Sequence, residues 1–538
     1  MGASTTGDMT ARALLDSLRA RPEAVIVDDV GPMAGAELAQ RIEALVTHLR
    51  AVGVDTGRAV LIVSPNRREV VEAEVACLVG GWTAVPVNWH FDAEGVARVL
   101  ADLGAAAIVV DPVLLGLVRA ALERREGAPA APLPVLVLDG GDRGDDHPDH
   151  EVDYERALER AGGASPRDER PGSMIFSTSG TTGRSRSVRF LGPPGHDHDP
   201  VSPILRHHLP TLDAAAVPVA GRTLLCGPHY HWAQWTFGLL PLLRGSTVVL
   251  HQRFVPANLL AAIDRHGITN LLLLPSQIIR LLRLDERVRA GFGGRELQRV
   301  VHGAARCPVD GKRAMIDWWG PVMTEYYGAA EGGVVTLATS EEWHDHPGSV
   351  GRAVPGKQIT VVGDDGTVAP VGRDGVVHVR SEEGLSIEYV GAPAATTATR
   401  ALPGHVTFGD IGHLDDDGYL TLSDRRSDMI VTGGVNVPSG QVEAVIAEHP
   451  AVADVAVYGV PDSTAGQVVR AAVEVTADAP DDLVDQLLEL CRSRLPEHQR
   501  PVAVEVLDQL PRSATGKLVK RRLRAPYWEP HIGPIRLR

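Results

Sequence analysis

Residues 173–190 read SMIFSTSGTTGRSRSVRF. A short apolar run, Ser173–Phe176, passes directly into a stretch made almost wholly of Ser, Thr and Gly, then into Arg184, Arg186 and Arg189. An apolar run bounded by small turn formers reads as a buried strand feeding a loop. Small residues allow backbone N–H groups to converge on an anion, and hydroxyls add further donors. The chemistry is that of a polyphosphate cradle. No GxxxxGK[ST] occurs, so it is not a Walker loop. Taken alone, the stretch fits a plain Ser/Gly loop equally well.

Outward from this loop the pattern is alternating. AELAQRIEALVTHLRAVGV has helical periodicity, RAVLIVSPN reads as a buried strand, REVVEAEVACLVGG as a helix, and WTAVPVN and AAAIVVD as strands. The alternation resumes after residue 220 with RTLLCGP, STVVLHQRF and ITNLLLLP. Strands alternating with helices predict an α/β fold with parallel-type sheets layered by helices. Between Gly356 and Ser381 the texture changes to hairpins with Asp-Gly turns, which predicts a β-rich subdomain. From about Arg425 a smaller α+β unit follows.

The chain has 538 residues, 44% hydrophobic composition and a net charge of −15. It can bury a large core in at least two domains. The acidic balance argues against nucleic acid as a partner. No apolar run approaches the length of a membrane span, so no stable membrane insertion is expected. Cys77, Cys226, Cys307 and Cys491 form no CxxC, which suits a reducing cytoplasm. Basic residues are almost all Arg: the lysines are Lys312, Lys357, Lys517 and Lys520. A Lys retained against such a bias is a candidate for a role that Arg does not fill.

Three further stretches give the loop its context. Residues 326–333 read YYGAAEGG, residues 407–434 read TFGDIGHLDDDGYLTLSDRRSDMIVTGG, and residues 511–524 read PRSATGKLVKRRLR. With TSGTTG, in this order, they resemble the motifs of the adenylate-forming superfamily, which holds acyl-CoA synthetases, peptide-synthetase adenylation domains and luciferases. The resemblance spans nearly the whole chain. It implies an N-terminal domain over 1–424, a hinge over 425–427 centred on Ser427, and a small mobile C-terminal lid domain over 428–538. It also implies ATP, Mg²⁺ and coenzyme A as reactants and cofactors. A carboxylate attacks the α-phosphate of ATP, pyrophosphate leaves, and a thiol then attacks the acyl-AMP.

Roles follow from the resemblance residue by residue. Thr178, Ser179, Gly180, Thr181, Thr182 and Gly183 would hold the β- and γ-phosphates, with Arg186 where the family carries Lys. Tyr327, within Tyr326-Tyr327-Gly328 and beside Ala330, would stack on adenine, as an aromatic face can. Gly303, Ala304 and Ala305 would line the adenine and acyl pockets. Glu331, with Thr178, would hold Mg²⁺, a cation that prefers hard oxygen ligands. Asp410 would accept from the ribose hydroxyls with Arg425 nearby, and Gly433 and Gly434 would line the CoA path. Lys517 would bridge carboxylate and α-phosphate during adenylation.

The chain departs from the family at three places. Ser185, Arg186 and Ser187 replace a Pro-Lys-Gly continuation of the phosphate loop, Ala330 replaces a Thr that contacts the α-phosphate, and Ser427 replaces Asp or Lys at the hinge. A lost hydrogen bond to a charged group costs about 1.5–3 kcal/mol. For the acid, Tyr230 and His231 match the aromatic-His pair at the mouth of the acyl pocket. Trp232 and Trp235, spaced i and i+3, are either pocket lining or core. No acidic residue lies between Thr223 and Arg244 to pair with a substrate ammonium. The expectation is a cytoplasmic acyl-CoA synthetase, closest to fatty-acid-CoA ligases, for a bulky or long hydrophobic acid. Two alternatives stay open: an acyl-AMP ligase that loads an acyl carrier protein, and a partly degenerate adenylate binder with one half-reaction. A homodimer is the default oligomer.

Overall fold

The computed structural model describes residues 10–124, 132–139, 148, 150–161, 171–178, 186–191, 201–363, 365–382, 386–400, 402–425, 428–432, 435–462, 464–512 and 518–528. The chain divides into two compact units. One comprises Met1–Asp345, Val354–Lys357 and Arg380–Gly404, the other His346–Ala353, Gln358–Val379 and His405–Arg538.

Two mostly parallel sheets build the first unit. In one, Ala24–Asp28, Thr247–Leu250, Arg222–Leu225, Asn270–Leu273, Arg299–Gly303 and Met323–Ala329 run parallel in that spatial order. Gly31–Ala34 and Gly333–Thr339 close it with antiparallel partners. In the other, Ser173–Thr178, Thr83–Pro86, Ala59–Val63, Ala107–Val110, Val135–Val137 and Glu151–Asp153 run parallel. Arg186–Leu191 and Ser386–Tyr389 extend it antiparallel beyond Ser173–Thr178. The strands are short apolar runs, buried on both faces, as helix-covered parallel sheets require. Crossover helices carry their own punctuation. The side chain of Asp92 caps Ala93–Leu103 at its start, and Gly104, with φ of 55°, ends it in the left-handed region.

One hydrophobic core draws side chains from both sheets, among them Ile62, Phe176, Val248 and Tyr326. Helix Arg68–Gly80 is buried along its whole length. Its charged residues survive there because each has a partner: Glu72 accepts from Arg41 at 2.7 Å and Tyr154 at 2.8 Å, and Glu74 meets His229 at 2.7 Å. The region after His231 is not a regular helix. A single α-turn, Trp232–Gln234, widens to a π-helical turn, Trp235–Leu239, then tightens to a 3₁₀ turn, Leu240–Arg244. Gly238 and Pro241 explain this, the one lacking a side chain and the other an N–H. Such π turns are frequent at functional sites.

The second unit contains an antiparallel sheet ordered Lys357–Val362, Gly375–Ser381, His405–Leu414, Leu420–Arg425. It also contains a C-terminal sheet of Val435–Val437, Ile430–Thr432, Gly466–Val475 and Val452–Asp462, with Ala503–Val506 joined parallel to Gly466–Val475. Helices Ser439–Ile446 and Leu483–Arg494 pack on it through Val442, Ile446, Leu487 and Cys491. No described helix is long and apolar enough to cross a membrane.

Candidate active site

Strands Arg299–Gly303 and Met323–Ala329 lie side by side with Gly303 level with Tyr326. A Cβ at Gly303 would stand 2.3 Å from the Tyr326 carbonyl and 2.7 Å from its ring, so only glycine allows this approach. The next residue, Ala304, holds φ at 65°, a left-handed conformation uncommon outside glycine and one that clusters at functional sites. Side chains alternate along a strand, so Tyr326 and Tyr327 face opposite sides. The ring of Tyr326 stands edge-on to Trp232 at 5.7 Å and 5.6 Å from Phe237. It therefore joins the side chains expected at the acyl end, while Tyr327, 8% exposed, takes the other face.

Glu331 sits just beyond this strand, buried, and accepts a hydrogen bond from Tyr389 Oη at 2.7 Å. Burial, and then the adjacent carboxylate, push the Tyr389 hydroxyl well above its ordinary range, so it remains a donor. Tyr389 belongs to Ser386–Tyr389, which pairs with Arg186–Leu191. The guanidinium of Arg186 lies 5.3 Å from the Tyr389 ring centroid. Arg186 in turn pairs with Thr178 across the ladder, which brings the two ends of the Ser/Thr/Gly loop together. Thus Glu331, Tyr389, Arg186 and the ends of the loop form one neighbourhood in the first unit. The side chain of Thr178 and residues Ser179, Gly180, Thr181, Thr182 and Gly183 lie outside the described residues.

The sequence-predicted acyl residues separate into two groups. Trp232 belongs with Tyr326. Trp235 packs on Phe176 at 5.7 Å and hydrogen-bonds the fully buried carboxyl of Glu74, so it belongs to the core. Tyr230 stands edge-on to Trp89 at 4.7 Å and 4.9 Å from His231, which leads into the short turn at Trp232. In the second unit Asp410 is buried and lies opposite Arg425 in an antiparallel ladder. The side chain of Arg425 and residues Ser427, Gly433, Gly434 and Lys517 are outside the described residues. Tyr389 and the His207–His208 doublet were not singled out from sequence. Nothing local marks them, because strand pairing and helix packing bring them to the site.

Among the described residues no three His, Cys, Asp or Glu side chains gather into a metal cage. A single anchored carboxylate fits Mg²⁺ nevertheless, since that ion usually takes one or two carboxylates and completes its shell with phosphates and water.

The AMP-binding enzyme family model matches residues 15–390, and the model of the AMP-binding enzyme C-terminal domain matches residues 441–517. The chain belongs to the AMP-binding enzyme family, the adenylate-forming superfamily that the motifs resemble. The expected α/β fold with a separate C-terminal domain holds as well. Among its relatives is the indoleacetate–CoA ligase of Aromatoleum aromaticum, 28% identical over 91% of this chain and 92% of that one. Another is a feruloyl-CoA synthase from Amycolatopsis, 30% identical over 94% and 96%. The solved structure of the amide bond synthetase McbA from Marinactinospora thermotolerans superposes with a TM-score of 0.79 at 26% identity, covering 96% of this chain and 100% of that one. The expectation of an AMP-forming acid–thiol ligase agrees with the relatives named as CoA ligases.

Proposed function

We propose that the chain is a cytoplasmic, ATP- and Mg²⁺-dependent acyl-CoA synthetase that activates a hydrophobic carboxylic acid through acyl-AMP. The observation that carries this reading is the buried Glu331 carboxylate. It is fixed by Tyr389, whose strand pairs with the one that leaves the hydroxyl-rich loop. The relatives named as CoA ligases support coenzyme A as acceptor. Tyr327 and Gly303–Ala305 place the adenine, Asp410 and Arg425 the ribose, and Thr178–Gly183 with Arg186 the phosphates. Glu331 would hold Mg²⁺, which would neutralise charge on the phosphates. The ammonium of Lys517 steadies the carboxylate and the α-phosphate while the acyl–phosphate bond forms and pyrophosphate leaves. After rotation about Ser427, the thiol enters past Gly433 and Gly434, attacks the acyl carbonyl and releases AMP. His231 lies at the mouth of the acyl site, with Tyr230 and Trp232.

Pyrophosphate release with ATP and Mg²⁺ over a panel of carboxylic acids, with and without CoA, tests this, with products identified by mass spectrometry. An acid-dependent acyl-CoA product is expected. Acyl-AMP alone would point to another acceptor, such as a carrier protein. Acyl-CoA made only from supplied acyl-AMP would mean that Ala330 and the altered loop mark a lost first half-reaction.

The anchoring of Glu331 gives a finer test. Tyr389→Phe removes one charge-assisted hydrogen bond, worth about 1.5–3 kcal/mol. The Mg²⁺ concentration for half-maximal pyrophosphate release should rise about tenfold, and further in Glu331→Gln. Unchanged Mg²⁺ dependence in both variants would remove Glu331 from the metal site.

A further inference from the structure

Behind Glu331 a pair of histidines lies in a box of aromatic rings. His207 and His208 belong to helix Pro203–Ala214, with ring centroids 4.9 Å apart. His208 is fully buried and stands 5.4 Å from Phe190, 5.9 Å from Trp232 and 5.8 Å from Trp235. Trp232 carries the box on to Tyr326, above Gly303. The position of His207 is tied to the site: a Cβ on Gly333, two residues past Glu331, would lie 2.4 Å from His207 Nε2.

The hydrogen bonding fixes what His208 offers. The Thr236 hydroxyl spends its one proton on the Trp232 carbonyl at 2.7 Å. It therefore accepts, at 3.0 Å, from His208 Nδ1–H. Burial first, and the charge of Lys357 second, lower the His208 pKa to about 3, so the ring is neutral. A neutral ring with its proton on Nδ1 carries a lone pair on Nε2. That atom is out of solvent and has no hydrogen-bond partner among the described residues. Tyr326 Oη is likewise buried without one. Buried polar atoms are nearly always satisfied, and an exception asks for an explanation.

Resting on the ligase reading above, we infer that the acid is a compact ring carboxylic acid carrying its own N–H or O–H donor, which His208 Nε2 accepts within the aromatic box. The box supplies stacking faces for a ring. Trp232 and Phe237 close on the Tyr326 ring beside Gly303, a wall of rings that favours a compact ring over a long flexible chain. His208 is thus a specificity-determining residue.

The test measures kcat/KM for pyrophosphate release with matched acids: indole-3-acetate against benzothiophene-3-acetate, 4-hydroxyphenylacetate against 4-methoxyphenylacetate, and dodecanoate as the long chain. The donor-bearing member of at least one pair should lead by about 10- to 100-fold, the share of one hydrogen bond made in a dry site. His208→Leu should bring that ratio close to one, and His208→Gln, which keeps an acceptor, should restore much of it. A purely structural His208 would leave the ratio unchanged in all variants and overturn the inference. So would ratios near one in the unaltered protein, or faster turnover of dodecanoate than of any ring acid; in both cases the ligase reading stands. If no acid releases pyrophosphate, calorimetric binding decides. Tighter binding of the donor-bearing member, lost in His208→Leu, keeps the inference and sinks the ligase reading. Equal binding of both members, or none, overturns the inference.

Discussion

Lys517→Ala is expected to slow pyrophosphate release about 100- to 1,000-fold, the usual consequence of removing one preorganised charge-stabilising group from a transition state. Conversion of supplied acyl-AMP to acyl-CoA should stay within a few-fold of the parent. The asymmetry follows from the two-conformation account, in which the C-terminal domain presents Lys517 only to the first half-reaction. Lys517→Arg should rescue little, because a planar, forked guanidinium does not substitute for a compact ammonium between two oxygens. Single-turnover assays of the two half-reactions provide the measurement. Equal loss in both would sink the account of alternating faces and leave Lys517 as a general structural residue.

The largest stability effect is expected at another of the lysines. Lys312 is 1% exposed, and its ammonium donates to Glu325 at 2.7 Å while lying 4.7 Å from the Trp343 ring centroid. Burial lowers the Lys312 pKa and raises that of Glu325, so each charged form depends on the other. Lys312→Met leaves a carboxylate inside the protein without its cation. Breaking such a pair costs about 3–5 kcal/mol, and removing both charges together restores much of that. Urea unfolding should therefore show a large loss for Lys312→Met and a smaller one for Lys312→Met with Glu325→Leu, the difference being the coupling between the two sites. A loss under about 1 kcal/mol in the single variant would mean that Glu325 is neutral or solvated.

The lysines show how sequence and structure share the explanation. The Arg bias alone marks them, and at each described position the ammonium has a specific partner: Glu325 for Lys312, Ser381 Oγ for Lys357, Ser439 Oγ and Glu443 for Lys520. Which partner it has is not written locally. Glu325 is thirteen residues from Lys312 and Ser439 eighty-one from Lys520, distances that only the fold closes.

The sequence by itself determined the layered α/β class, because short apolar runs alternating with amphipathic segments leave few other ways to bury both. It determined the family too, because phosphate, ribose and carboxylate chemistry require particular residue types in short contiguous motifs. It could not say that Trp232 packs on Tyr326 while Trp235 packs on Phe176. A π-helical turn and a buried Glu74 decide that. Nor could it bring Tyr389 to Glu331 or His208 to Trp232. Those contacts depend on strand pairing and helix packing between residues far apart in the chain, and only the tertiary structure brings them together.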